Sequence, residues 1–405
     1  MALRFKTLDD FDFNGRTVIL RVDINSPLDP QTLEIIDDSR IREHSETIRE
    51  LLRRNAKVVI LGHQGRKGDP DFTDFSRHYR VMLKYVPNLK YVNDIIGLNA
   101  VNAIRGLKPG EALLLENVRM LDEETETKTA EEHARGTLVS TLAPFADFFV
   151  NDAFSASHRA HASVIGFAAV LPSAAGRVME RELRALEKVV DNPSKPCIYV
   201  LGGAKAKETF KVVENVLDKG IADKVLLGGM IAQVFHEAAG FRLGSINTKL
   251  IEEKGLGKFR ETASKILGKH SQNIMLPYDY AVDVDGERVE YMVSQLPVEH
   301  PLKDIGTETI RVFSRELQKA NTIVFNGPVG VFEEDAFAKG TLELYRAAAS
   351  SKAFSVVGGG HSISALEKAG VYGKIGFVST AGGALISYLS GEKLPGVEAL
   401  KTPKA

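Results

Sequence analysis

The stretch IYVLGGAK (198–205) carries the fold in miniature. Its apolar residues follow one another without polar alternation. That is the pattern of a strand covered on both faces, and so of a parallel sheet. The run stops at a glycine pair, where the backbone can turn into a helix and let a ligand approach its amides. The same pattern recurs outward from here. VLLGG (225–229), IVFNGPVG (323–330) and SVVGGGHS (355–362) also end at glycine. In the first half, ILRVDIN (19–25), VVILGHQGR (58–66), LLLENVR (113–119) and FFVNDAFSASHR (148–159) end instead at Arg, His, Asp and Asn. Strands are expected at 17–22, 57–61, 90–92, 112–116 and 147–150, then at 197–201, 224–228, 273–276, 322–325, 354–357 and 375–378. Helical stretches lie between them, such as 39–54, where Asp38 or Ser39 can cap the N-terminus and Ile41, Ile48, Leu51 and Leu52 share a side. Two such series of alternating units predict an α/β fold of two doubly wound parallel-sheet domains, Rossmann-like and three-layered (αβα).

The chain has 405 residues, enough for two such cores. The first domain is expected over 1–173 and the second over 191–405, with the break near LPSAAG (171–176). Between them, 174–190 reads as an interdomain helix with a hinge. In RVMERELRALEKVV (177–190), Val178, Leu183, Leu186 and Val190 fall on one face, and Pro193 and Pro196 stop the helix. The end of the chain, EKLPGVEALKTPKA, reads as irregular surface chain whose last residues have room to pack back toward the first domain.

Lys+Arg 52 against Asp+Glu 53 leaves a net charge of -1, which disfavours nucleic-acid and membrane-surface partners and leaves small molecules. Monomer and homodimer stay open. The single Cys197 excludes an intrachain disulfide and a cysteine metal cluster. With a polar start (MALRFKTLDD) and no apolar run of membrane-spanning length, it gives a cytoplasmic expectation.

Ligands of open parallel sheets sit beyond the carboxyl ends of the strands. In the first half that region gathers Arg21, Arg40, His63, Arg66, Arg119 and Arg159, a basket for a small multivalent anion, while Asp23 and Asn25 suit a substrate hydroxyl. HRAH (158–161) is either hydrogen-bonded structure or a fragment of a metal site, and it has no third ligand nearby in sequence. In the second half, Gly202–Gly203, Gly228–Gly229, Gly358–Gly360 and Gly382–Gly383, with Gly327 and Gly330, suggest a shelf for adenine, ribose and phosphates. Lys205 opens a helix and can meet a phosphate there; Glu333 is either a ribose acceptor or an exposed loop carboxylate. No G-x-x-x-x-G-K-[ST] and no G-x-G-x-x-G after a strand occurs. A basket and a shelf in one chain point to an enzyme that moves phosphate between two separately bound molecules.

At this point RVDINSP (21–27), GHQGR (62–66), LLENVR (114–119), VNDAFSASHRAHASVIG (150–166), LGGAK (201–205), FNGPVGVFE (325–333), GGGHS (358–362) and STAGGA (379–384) resemble the phosphoglycerate kinase family, in that family's order and over essentially the whole chain. The resemblance implies a glycolytic and gluconeogenic transferase. It implies 3-phosphoglycerate on the first domain, held through Asp23, Ile24, Asn25, Arg40, His63, Gln64, Gly65, Arg66, Arg119 and Arg159. It implies Mg-nucleotide (ATP or ADP) on the second, at Gly202, Gly203, Lys205, Gly228, Asn326, Gly327, Glu333, Gly359, Gly360, His361 and Ser362. Catalysis would fall to Arg40, Lys205, Gly360 and Gly383, by domain closure and without a general base. The Mg²⁺ would be bound mainly through the nucleotide phosphates.

The sequence departs from the bacterial and eukaryotic pattern in places. GGAKAKET puts Thr209 where a phosphate-contacting Lys is usual, and Lys207 or Lys211 is the candidate replacement. His361 stands for a metal-binding Asp, Phe325 for Trp and Ala381 for Gly; the GGGH variant resembles archaeal members. The competing readings are a non-catalytic two-domain anion-binding protein and an α/β dehydrogenase.

Overall fold

A computed structural model describes residues 5–203, 206–359 and 362–401. The chain forms two compact units, Ala2–Arg184 with Lys393–Ala405, and Ala185–Glu392.

In the first unit, β1 (Thr17–Arg21), β2 (Lys57–Leu61), β3 (Lys90–Tyr91), β4 (Ala112–Leu114), β5 (Phe148–Asn151) and β6 (Ser173–Ala175) form one parallel sheet. The spatial order is β3-β4-β2-β1-β5-β6. Successive residues of β1 feed opposite cores. Val18 and Leu20 pack with Ile41, Ile48 and Leu51 of the helix Ser39–Arg53, and Ile19 packs with Leu113, Leu138 and Phe149. That two-sided burial explains the unbroken apolar runs. The order reverses between β1 and β5, so the loops after these strands diverge and leave a crevice.

The second unit repeats the design with β7 (Cys197–Leu201), β8 (Lys224–Leu227), β9 (Ile274–Met275), β13 (Thr322–Asn326), β14 (Phe354–Gly358) and β15 (Phe377–Val378). Their order is β15-β14-β13-β7-β8-β9, with the switch between β7 and β13. Every residue of β7 and of β13 is buried.

Several expectations are corrected. Asp38 does stand at the N-cap of the helix Ser39–Arg53 but makes no side-chain cap bond; its carboxylate accepts from the Tyr85 hydroxyl at 2.9 Å. Part of LPSAAG is not a break but the edge strand β6. The segment 177–190 is an α-helix only over Arg177–Leu186, then a π-helical turn over Glu187–Asp191. The wider turn rotates the buried face, so Val189 is buried where the α-helical spacing expected Val190. The end of the chain is not irregular surface. Pro395–Glu398 is helical, Leu394, Val397 and Leu400 are buried, and the Gly396 amide donates to the Ser157 carbonyl at 2.9 Å. A three-stranded antiparallel sheet, β10 (Asp279–Val284), β11 (Glu287–Met292) and β12 (Leu302–Ile305), is inserted between β9 and β13. Among the described residues no helix is long and apolar enough to cross a membrane.

The cores bury neutral histidines. Burial lowers the pKa of His236, which packs edge-on against Tyr280 and Phe241, to about 4, and that of His78 to about 4. A depressed histidine stabilises the fold fully above its unfolded pKa, near 6.5, and that contribution is lost as pH falls toward 4. Each is worth about 3 kcal/mol. We expect the urea midpoint of unfolding to fall between pH 6.5 and 4. His236→Gln keeps a partner for the Tyr280 hydroxyl but does not titrate, so its midpoint should fall less. An unchanged slope in that variant would contradict the assignment.

Candidate active site: an anion basket and a glycine cleft

The basket is assembled at the ends of β1, β2, β4 and β5. Asp23 follows β1 and is buried. Burial alone would raise its pKa, but the charge of Arg40 holds it below the usual carboxylate range, and the Ser155 hydroxyl donates to it. The Arg40 guanidinium donates directly to Asp23 from the helix Ser39–Arg53. Asn25 Oδ1 accepts from the Gly65 amide at 2.9 Å, tying the β1 loop to the β2 loop. Gly65 adopts φ +62, and a Cβ there would lie 2.6 Å from the Asp71 backbone, so the tight GHQGR turn requires glycine.

The cations crowd one another. Burial and the charges of Arg159 and Arg21 lower the pKa of Arg119 to about 10; burial and Arg66 lower that of Arg159. Arg119 donates to the Gly65 carbonyl, yet its buried Nε has no partner. Repelling cations and an orphaned donor are what an incoming anion would satisfy.

Three expected members support the basket rather than line it. Arg21 is buried, 1% exposed, with Nε donating to Ser163 Oγ at 2.8 Å and Nη2 to His63 Nδ1 at 2.9 Å. Arginine can only donate, so His63 accepts at Nδ1 and carries its proton on Nε2. Burial and the Arg21 charge keep that imidazole neutral, well below its ordinary pKa. Ile24 is core under Gly62. Gln64 is buried, its carboxamide engaged by Ser26 and His78. The strand end is legible in sequence, but the direction in which each side chain leaves it is not. In the HRAH element His161 lies 3.8 Å from Glu124, and among the described residues no group of three His, Cys, Asp or Glu is placed to hold a metal.

In the second unit the glycines build a cleft of about 510 Å³ at the β7/β13 switch. The Gly202 amide donates to Asn326 O at 3.1 Å, Gly203 to Pro328 O at 2.8 Å and Gly229 to Val329 O at 2.8 Å. These contacts leave no room for side chains. A Cβ on Gly202 would lie 2.1 Å from Pro328 O, and one on Gly228 2.4 Å from Val329 Cβ. Gly202, Gly203, Asn326, Gly327, Glu333, Gly359 and Ser362 all line the cleft. Gly228 does not line it but packs against Val329, and Gly383 opens the helix Gly383–Leu389 beside the lining residue Gly382. Lys205, Gly360 and His361 lie outside the described residues. Thr209 is in the wall, whereas Lys211 is paired with Glu392 at 2.7 Å and Lys207 is exposed; neither lysine lines the cleft. Met230, Gln233, Leu302, Lys303 and Tyr345 also line it and were not expected. Gln233 left one signal: it is the only polar residue in GMIAQVF (229–235).

A cationic basket and a glycine-backed cleft, each at the switch point of a doubly wound sheet, define a phosphotransferase. The family profile described as phosphoglycerate kinase matches residues 8–392. A phosphoglycerate kinase of Methanothermobacter thermautotrophicus is 46% identical over 99% of this chain and 98% of its own. One from Sulfurisphaera tokodaii is 43% identical over 98% and 96%. The crystal structure of phosphoglycerate kinase from Pyrococcus horikoshii superposes with a TM-score of 0.88 at 43% identity, covering 98% of each chain. That from Coxiella burnetii gives 0.85 at 31%, again over 98% of each. The chain belongs to the phosphoglycerate kinase family.

Proposed function

We infer that the protein catalyses reversible phosphoryl transfer between the acyl phosphate of 1,3-bisphosphoglycerate and ADP, giving 3-phosphoglycerate and ATP, a step shared by glycolysis and gluconeogenesis. The observation that carries this reading is the pairing of a basket of mutually repelling cations, with the buried Arg119 Nε unpaired, and a cleft walled by backbone too tightly to admit side chains. The non-catalytic clamp does not account for the second of these.

In the ATP-forming direction a terminal phosphate oxygen of ADP attacks the acyl phosphorus, and the bond from phosphorus to the carboxylate oxygen breaks. Nucleophile and leaving group are both ionised near neutral pH, so no general base is needed. Catalysis rests on in-line positioning and on neutralising charge. Arg119, Arg159 and Arg66 would hold the phosphate of 3-phosphoglycerate, with Asp23 and Asn25 on its hydroxyl. Arg40, Lys205 and the amides of Gly360 and Gly383 would face the transferring group. The one carboxylate among the described cleft-lining residues is Glu333, so Mg²⁺ would enter as MgATP or MgADP, held chiefly by phosphate oxygens. Water would hydrolyse the acyl phosphate, so the two bound substrates must meet in a site closed by movement of the units. Identical scattering profiles with and without both substrates would overturn that closure. Buried, unpaired Cys197 is in keeping with a reducing cytoplasm.

The test is ADP formation from MgATP with the acyl phosphate drained by a coupling enzyme. The expected result is strict dependence on 3-phosphoglycerate; ADP formation indifferent to it would overturn the reading.

A further inference from the structure

We propose that Gln233 reads the base of the nucleotide and selects purines bearing an exocyclic amine at the six position over those bearing a carbonyl there. The proposal rests on the nucleotide reading of the cleft. Gln233 lies on the helix Gly229–Ala238, four residues past Gly229, which adjoins Gly203 on the glycine shelf. One turn of helix, about 6 Å, separates it from that shelf, which is the sense in which a base is set apart from its phosphates. Its side chain is 4% exposed and lines the cleft.

The orientation of the carboxamide follows from its anchor. Nε2 donates to the Leu302 carbonyl at 3.1 Å. A carboxamide has one donating and one accepting end, so this bond leaves Oε1 as the end available to a ligand. The anchor is itself pinned. The Leu302 amide donates to Asn247 Oδ1 at 2.9 Å, and Asn247 Nδ2 donates to the carbonyls of Leu243 and His300, each at 3.0 Å. Turning the carboxamide over would set two oxygens against each other in a buried place and leave the Leu302 carbonyl without its donor. Lys303, the nearest cationic lining residue in sequence, cannot readily serve a six-carbonyl instead. Its ammonium is paired with Asp283 and Glu334, each at 2.7 Å. Met230, Leu302 and Val331 supply apolar wall for the ring beside Gln233. An adenine amine would therefore meet an acceptor, while the oxygen of hypoxanthine or guanine would meet a second acceptor. Sites built to hydrogen-bond a ligand group discriminate strongly against a ligand that lacks it.

The experiment is calorimetric binding of ADP, IDP and purine riboside 5′-diphosphate, which has no substituent at the six position, to the wild-type protein and to Gln233→Met. The wild type should bind ADP about tenfold more tightly than IDP, the factor that corresponds to ~1.4 kcal/mol, with the unsubstituted purine between them. Gln233→Met, similar in length but without an amide, should bring ADP and IDP within about twofold of each other. Equal affinities for the three ligands in the wild type would overturn the proposal, as would an ADP preference that survives in Gln233→Met. If that variant does not fold, the wild-type series decides alone. Failure of all three diphosphates to bind is a different result and would overturn the nucleotide reading of the cleft itself.

Discussion

Replacing Arg40 by alanine is expected to lower kcat by at least about 100-fold while leaving the protein folded. A preorganised cation facing a transferring phosphoryl group is worth about 3–4 kcal/mol, and each 1.36 kcal/mol is tenfold in rate. The side chain is 34% exposed, and its visible partner is the carboxylate of Asp23, which it approaches with a single Nη. A guanidinium has further donors, so an arginine that spends one on Asp23 retains others for a substrate. The charge of Arg40 also helps keep Asp23 ionised in a buried place. Arg40→Lys separates these roles. It restores a cation for Asp23 without the planar fork, so it should recover stability more fully than turnover. The measurement is coupled-assay kcat for the wild type and both variants beside their thermal midpoints. Near-normal turnover of Arg40→Ala would refute the assignment. A loss of activity that tracks a collapse of the midpoint would make Arg40 a structural residue.

The legible and illegible parts of this chain divide along physical lines. Strands of the two parallel sheets announce themselves because both faces are covered, as in VILR or YVLG, and unbroken apolar runs result. The antiparallel sheet escaped that reading because ERVEYM over β11 is half exposed and charged. Its one strong local signal is Asp285–Gly286, with φ of 52° and 90°, joining β10 to β11 where Val284 pairs with Glu287. A two-residue Asp-Gly loop is a strong short-range hairpin signal. The edge strand Ser173–Ala175 has small residues and no β-branched side chain, and the buried Leu394, Val397 and Leu400 are too sparse to declare a docked helix.

The site divides in the same way. Basket arginines and shelf glycines stand at strand ends, where chemistry shows in the sequence. Arg21 does not line the basket because strand ends say where a residue stands and not what lies over it; His63 from the loop after β2 and Ser163 from the π-helical segment Ala162–Gly166 enclose it. The wall residues Gln233 and Tyr345 lie within helices, and only the packing of those helices decides that they face a ligand.

Gly202→Ala is the change expected to abolish nucleotide binding most completely for the fewest added atoms. The backbone of Gly202 is not in the left-handed region, so alanine meets no conformational penalty there; the obstacle is the neighbouring chain. The new methyl would sit 2.1 Å from the Pro328 oxygen and 2.8 Å from its carbonyl carbon. Backbone cannot swing aside as the end of a flexible side chain can, so β7 and β13 would have to separate where their loops meet. The bonds from Gly202 to Asn326 and from Gly203 to Pro328 would go with that movement, and the shelf would lose its shape. Hydrogen bonds to a charged ligand are worth about 1.5–3 kcal/mol each, so losing two ligand contacts along the displaced shelf should weaken ADP binding by more than about 100-fold. With 3-phosphoglycerate assigned to the other unit, as proposed, its binding should be unchanged. Gly220 supplies the control: its φ is +61, and nothing lies within 4 Å of a Cβ there. Gly220→Ala should therefore cost about 1 kcal/mol of stability through backbone strain, with ADP affinity intact. Calorimetry with each ligand separates these outcomes. If Gly202→Ala binds ADP within a few-fold of the wild type, the glycines are there for packing of strand against loop, and the polyphosphate lies elsewhere.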